Sequence, residues 1–129
     1  MSDREHAKMI LAAARRDLLA LSGMADQQQF ADEIFGFHAQ QVVEKALKAW
    51  LSLRRLEYPR THDLAVLADL LIDQGETVPQ VFLSLSDLTD FAVQFRYEAY
   101  DDLTGELDRV QISRRVSELV DHVFGLLES

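Results

Sequence analysis

The segment from about Asp32 to Leu56 constrains the fold most, because its apolar residues recur every three or four positions. At a rotation of about 100° per residue these side chains gather on one side of a helix. Further apolar residues widen that side, and so wide an arc is typical of a helix packed between neighbours in a bundle. The residues of the arc are Phe35, Ala39, Val42, Val43, Ala46, Leu47, Trp50, Leu51 and Leu53.

Four further segments show helical periodicity, and none alternates apolar and polar residues as a half-buried strand does. The sequence therefore predicts an all-α fold, an up-and-down antiparallel bundle of four to five helices forming one domain over residues 1–129. The four segments are residues 4–21, residues 61–75, a helix that opens at Val78-Pro79 and continues to Phe95, and residues 107–127.

The boundaries follow from local chemistry. Tyr58-Pro59 is predicted to end the long helix, because a residue before proline avoids helical backbone angles. We expect Thr61 to cap the third helix and Asp63 to stabilise the positive end of its dipole. Three acids and a glycine predict a loop or broken helix over 97–105.

Composition excludes several classes of site. The chain has no cysteine, which excludes disulfide scaffolds, thiolate metal sites and cysteine nucleophiles. The four histidines fall on different predicted helices, there is no glycine-rich phosphate loop, and we expect neither a metal nor another cofactor. No apolar run is long enough to span a membrane and no secretory signal is visible, so we expect a cytoplasmic protein.

Charge is distributed unevenly along the chain. Its net value of −9 argues against indiscriminate nucleic-acid binding. Residues 44–60 nevertheless contain five basic and two acidic residues, whereas residues 61–108 contain eleven acids and a single base, Arg96. A small basic stripe of this kind can hold one or a few phosphates. The alternative is that these charges only solvate helix faces.

Two groups of residues are candidates for binding. Glu44, Lys45 and Lys48 lie along the polar side of the long helix, and Arg96 stands beside aromatic residues, including Tyr97. An arginine next to aromatic rings suits phosphate binding combined with base stacking. Alternatively, Arg96 pairs with nearby acids such as Asp101 in a structural ion pair. His62 and Asp63 also have a local explanation, because both suit a helix start.

Three ordered segments resemble the HEPN domain, the higher eukaryotes and prokaryotes nucleotide-binding family. Residues 37–49 (FHAQQVVEKALKA) are similar to its second helix, and residues 58–64 (YPRTHDL) to its proline–threonine–histidine–aspartate–leucine joint. Arg96-Tyr97 falls where the family places an arginine at the end of a later helix. Together the segments extend the resemblance over nearly the whole chain.

This resemblance implies an all-helical bundle, often a homodimer in which the arginine regions meet at a groove. It also implies roles in RNA cleavage, nucleotide binding and toxin–antitoxin pairs with a minimal nucleotidyltransferase. In nuclease members a histidine follows the arginine after four to six residues, but here Asp101, Asp102 and Leu103 stand there, and no histidine occurs between His62 and His122. An imidazole exchanges protons near neutral pH, whereas an exposed aspartate is ionised and repels phosphate.

We therefore expect a non-catalytic member that binds a nucleotide or RNA and pairs with a minimal nucleotidyltransferase in a toxin–antitoxin-like system. Arg96 would hold a phosphate, Tyr97 a base, and Lys45 and Lys48 would add positive potential. Glu44 would orient Arg96 or Lys45, and His62 completes the predicted site. Two alternatives stay open, a protein-interaction subunit without a ligand and a ribonuclease that uses Arg96 with His62.

Overall fold

The computed structural model describes residues 2–94 and 107–129, and within them the chain forms helices and no strand, which confirms the all-α prediction. None of these helices is both long and apolar enough to cross a membrane. The elements are α1 (Asp3–Ser22), α2 (Asp32–Leu53), α3 (Leu64–Asp73), α4 (Gln80–Leu83), a 3₁₀ helix (Ser84–Leu88), α5 (Thr89–Gln94) and α6 (Arg109–Glu128).

The α2 helix is the centre of the bundle, because α1, α3, α5 and α6 all pack against it. Phe35 and Trp50 of α2 are buried in the core of the bundle, as the wide apolar arc predicts. The start of α1 lies beside the end of α2, where Arg4 and Leu53 line one cavity, so the two helices are antiparallel. The α6 helix also runs opposite to α1, and Arg4 Nη1 donates to the carbonyl of Leu127 over 2.5 Å.

Arg109, at the start of α6, joins the ends of three helices. Its buried guanidinium donates to the carbonyl oxygens of Met24 (2.9 Å) and Phe30 (2.6 Å), and to Asp32 Oδ1 (2.8 Å). It also lies over the ring of Phe35, 5.1 Å from the centroid. These contacts fix the connection between α1 and α2 against α6, a role that sequence reasoning did not identify.

The α2 helix ends at Leu53, three residues before the predicted Leu56 and well before Pro59. Arg55 adopts a left-handed backbone with φ of 61°, and its N–H donates to the Ser52 carbonyl. The N–H of Leu56 returns to the Leu51 carbonyl over 2.9 Å. A left-handed residue with these two hydrogen bonds closes a helix C-terminus, so the turn itself ends α2.

The cap of α3 is Asp63, and the prediction of Thr61 as the cap is wrong. Asp63 Oδ1 accepts hydrogen bonds from the N–H groups of Ala65 (3.0 Å) and Val66 (3.4 Å). Thr61 Oγ1 instead accepts from the N–H of Asp63, over 3.0 Å. The threonine therefore holds the capping residue in place, and the aspartate satisfies the free donors of the first turn.

The single helix predicted from Val78-Pro79 onward is also wrong, since α4, the 3₁₀ helix and α5 divide it. The buried residues there, Phe82, Leu85, Leu88 and Phe91, are spaced three apart. Residues three apart eclipse one another in a 3₁₀ helix, so Leu85 and Leu88 lie on the same side of it. Phe95 and the loop predicted over 97–105 lie outside the described residues.

Candidate functional site

The side chain of Glu44 lies at the centre of a polar cluster on α2. Only 8% of it is exposed, and it accepts three hydrogen bonds. Gln40 Nε2 (3.0 Å) and His62 Nδ1 (2.7 Å) donate to Oε1, and Lys48 Nζ (3.0 Å) donates to Oε2. These four residues are called the Glu44 cluster below.

The cluster combines one helix face with one returning segment. Gln40, Glu44 and Lys48 are four residues apart, so they share one side of α2. Residues 56–63, called the return segment, run back along α2 and bring His62 beside Glu44. Gln40 Nε2 also donates to the backbone carbonyl of His62, over 3.0 Å, which holds the segment against the helix.

The Glu44 carboxylate is ionised at neutral pH. Burial by itself raises the pKa of Glu44, but hydrogen bonds from Gln40, His62 and Lys48, with the charge of Lys48, outweigh it and bring the pKa below its ordinary value. A buried anion that keeps its charge is a strong acceptor. The Glu44 carboxylate therefore fixes the positions of the Lys48 and His62 side chains.

Those two side chains reach the surface to different extents. The His62 side chain is 56% exposed, whereas that of Lys48 is 19% exposed. The Lys48 ammonium lies 5.7 Å from the centroid of the Tyr58 ring, and the Tyr58 hydroxyl is 3.5 Å from His6 Nε2. Burial raises the pKa of Tyr58, so the phenol stays neutral. A protonated imidazole beside an ammonium is a suitable contact for a phosphate oxygen.

The structure brings together three of the six predicted site residues, Glu44, Lys48 and His62. Lys45 lies apart from them and forms an ion pair with Asp17 of α1. The hypothesis that Glu44 orients Lys45 is therefore wrong, because the hydrogen bond goes to Lys48 instead. Arg96 and Tyr97 lie outside the described residues, as do the acids suggested as ion-pair partners for Arg96.

Gln40 and Tyr58 belong to this region, although the sequence analysis did not select them. Gln40 is fully buried, and its spacing of four residues from Glu44 was the available signal. The explanation of His62 as a helix-start residue is also incomplete, since Asp63 alone caps α3 and the His62 imidazole contacts α2. In the part of the chain that the structure describes, no three His, Asp or Glu side chains are grouped to hold a metal.

Comparison with known proteins adds one match. A family model described as the HEPN domain matches residues 7–126, which is nearly the whole chain. No curated protein and no solved structure matches the chain significantly.

Proposed function

The chain belongs to the HEPN domain family, and on that premise we propose that it binds the phosphate of a nucleotide or an RNA at the Glu44 cluster without cleaving it. The family is a helical one related to nucleotides and RNA. The observation that carries the proposal is the placement of Lys48 and His62 around one buried carboxylate. Both side chains are held before any ligand arrives, so little ordering is required on binding.

The positions of the two segments that resemble the family support this site. The segment 37–49 supplies Glu44 and Lys48, and the segment 58–64 supplies His62, so the stretches that carry the family resemblance meet in one cluster. In the proposal Arg96 adds a phosphate contact and Tyr97 a stacking surface. The sequence after Arg96 offers Asp101 and Asp102 where a proton-transferring histidine would stand, which favours binding over cleavage.

The proposal extends to the partners of the chain. We infer that the protein is cytoplasmic and, as the resemblance implies, a homodimer that pairs with a minimal nucleotidyltransferase in a toxin–antitoxin-like system. Co-expression with a nucleotidyltransferase encoded beside it tests this part, and the two proteins are expected to co-purify at a fixed ratio. Separate elution at all concentrations would contradict the pairing but not the phosphate site.

Two neighbouring lysines provide a matched test of the site. Lys48→Gln is expected to weaken binding of a labelled oligoadenylate about tenfold, because it removes a contact to phosphate and a partner of Glu44. Lys45→Gln is the control, since Lys45 pairs with Asp17 and lies apart from the cluster. Fluorescence anisotropy measures both, and Arg96→Ala is expected to weaken binding as well. Equal affinities for wild type and Lys48→Gln would show that phosphate does not bind at the Glu44 cluster.

A ribonuclease is the second candidate, and the Glu44–His62 contact favours it. A carboxylate 2.7 Å from Nδ1 orients an imidazole whose other nitrogen can accept a proton, which is the arrangement of a general base. Long incubation of the purified protein with RNA distinguishes the two. RNA that stays intact would support binding without cleavage. RNA cleavage that is lost in both His62→Ala and Arg96→Ala would establish that the protein is a ribonuclease.

The protein-interaction alternative needs no ligand. It becomes the better account if neither nucleotides nor oligoadenylate bind at low salt while the nucleotidyltransferase still co-purifies.

A further inference from the structure

The side-chain amide of Gln40 hydrogen-bonds through both its nitrogen and its oxygen. Its nitrogen donates to Glu44 Oε1 and to the His62 carbonyl, both over 3.0 Å, and its oxygen accepts from Gln41 Nε2 over 2.8 Å. Turning the amide over would place its oxygen against a carboxylate and a carbonyl, which both only accept. One orientation of a buried side chain therefore satisfies every partner, and it fixes the carboxylate and the return segment together.

The same geometry determines where the proton sits on His62. An ionised carboxylate only accepts hydrogen bonds, so the Nδ1 atom that lies 2.7 Å from Glu44 Oε1 must be the donor. In the neutral imidazole the second nitrogen, Nε2, then carries a lone pair. Within residues 2–94 and 107–129, no group hydrogen-bonds to Nε2, and the side chain is largely exposed.

We propose that Gln40 is a positioning residue that commits His62 to the tautomer with the proton on Nδ1, so that the site accepts a phosphate only when His62 takes up a second proton. A lone pair on Nε2 repels a phosphate oxygen, whereas the protonated nitrogen donates to it. Binding is then coupled to the uptake of one proton. This inference rests on the proposed phosphate site for its ligand, but the tautomer itself is a property of the free protein.

The charges around His62 agree with this coupling. Glu44 and Lys48 face it from α2, Asp63 follows it and caps α3, and Arg60 precedes it in the return segment. Asp90 on α5 follows Thr89, which accepts from the first N–H of α3. A doubly protonated imidazole keeps its Nδ1 donor on Glu44 and leaves its Nε2 donor for the ligand.

The tautomer is measured in the free protein by ¹H–¹⁵N correlation of the histidine side chains, at a pH where His62 is neutral. We expect His62 to show a protonated Nδ1 and an unprotonated Nε2. A dominant Nε2–H form would overturn the proposal. This measurement needs no ligand, so it separates the inference from the proposed function: the expected tautomer without any oligoadenylate binding would leave Gln40 a positioning residue and reject the phosphate site.

The positioning role is tested with Gln40→Met and its matched control Gln41→Met. Gln40→Met keeps a similar shape but removes both donors, so a fraction of His62 is expected to move to the Nε2–H tautomer. Gln41→Met leaves both contacts of the Gln40 nitrogen in place and is expected to keep the wild-type tautomer. A wild-type tautomer in folded Gln40→Met would contradict the role of Gln40. If that variant does not fold, Gln40→Ala, which removes the same two donors with less bulk, takes its place with the same expected and contradicting results.

The coupling itself is measured through the pH dependence of binding. The affinity of wild type for oligoadenylate, whose phosphodiesters do not titrate between pH 5.5 and 8, is expected to fall as the pH rises over this range, by at most about tenfold per pH unit, the limit for one proton taken up. Gln40→Met is expected to show a shallower dependence than Gln41→Met. A wild-type affinity that is constant over this range would overturn the coupling.

Discussion

Glu44 is a buried carboxylate with three donors, and this makes it a source of pH-dependent stability. Its pKa is lowered by folding, so its contribution is fully present above the ordinary value of 4.5 and is lost as the pH falls through the lower value of the folded protein. Glu76 acts in the same direction, because hydrogen bonds from Arg54 and Trp50 lower its pKa. We therefore expect acid to unfold the protein partly through these two groups.

The substitution Glu44→Gln tests this contribution. It is expected to lower the free energy of unfolding by about 1–3 kcal/mol at pH 7, since it replaces charged hydrogen bonds, and by less near pH 3. Urea unfolding at both pH values measures the difference, with Glu57→Gln as the exposed control. A Glu44→Gln deficit that is equally large at both pH values would contradict the assignment.

Arg55 occupies a backbone conformation that suits glycine better. With φ of 61° at the end of α2, a side chain costs about 1 kcal/mol relative to glycine. Arg55→Gly is expected to raise the free energy of unfolding by about that amount, measured by thermal or urea unfolding. Arg60→Gly, at a position without a positive φ, is the control and is not expected to stabilise. A destabilised Arg55→Gly variant would show that the Arg55 side chain holds the turn.

At the level of elements, the contact between α2 and α5 depends on the absence of a side chain at Gly36. A Cβ there would lie 2.3 Å from Phe91 Cδ1, closer than packed atoms approach, and Phe91 is buried. The short α5 helix can therefore lie directly against the backbone of α2.

Gly36→Ala and Gly125→Ala form a matched pair. Gly36→Ala is expected to destabilise the protein by about 1–3 kcal/mol through overpacking. Gly125→Ala, on α6 with open space around its Cβ, is expected to stabilise by about 0.5–1 kcal/mol because alanine favours a helix. Thermal unfolding measures both. The packing account fails if the two substitutions shift stability in the same direction.

Sequence periodicity was sufficient for the long elements, because α1, α2 and α6 each bury a stripe that repeats every three or four residues. It was insufficient between Val78 and Gln94, because the buried residues from Phe82 to Phe91 are three apart, a spacing that both α and 3₁₀ geometry accommodate. The cap of α3 was misassigned since Thr61 and Asp63 are both good capping residues. Arg109 could not be predicted as buried, because its partners, two backbone carbonyls and the Asp32 carboxylate, are distant in sequence.

The candidate site, too, could be predicted from the sequence only in part. The spacing of Gln40, Glu44 and Lys48 places them on one helix face and is readable from the sequence. The position of His62 beside Glu44 cannot be read from the sequence, because it depends on the path of the return segment along α2. Lys45 and Lys48 looked equivalent as basic residues, and only the position of α1, which brings Asp17 to Lys45, separates them.

For the molecule as a whole, a net charge of −9 contrasts with the small phosphate site proposed above. The proposed binding by Lys48, His62 and Arg96 would neutralise three phosphates, so the logarithm of the affinity for single-stranded oligoadenylate is expected to fall with the logarithm of salt concentration at a slope of about −2. Anisotropy titrations at several salt concentrations measure this slope. A slope of zero would contradict binding through phosphate, and a much steeper one would require a larger basic surface.

The account depends on the Glu44 cluster being the place where phosphate binds, and an NMR titration of the labelled protein with oligoadenylate tests this directly. The account predicts that the largest shifts occur at the His62 imidazole and the Lys48 ammonium, with little change at Lys45. Shifts confined to other parts of the bundle, or no shifts at all at low salt, would contradict it.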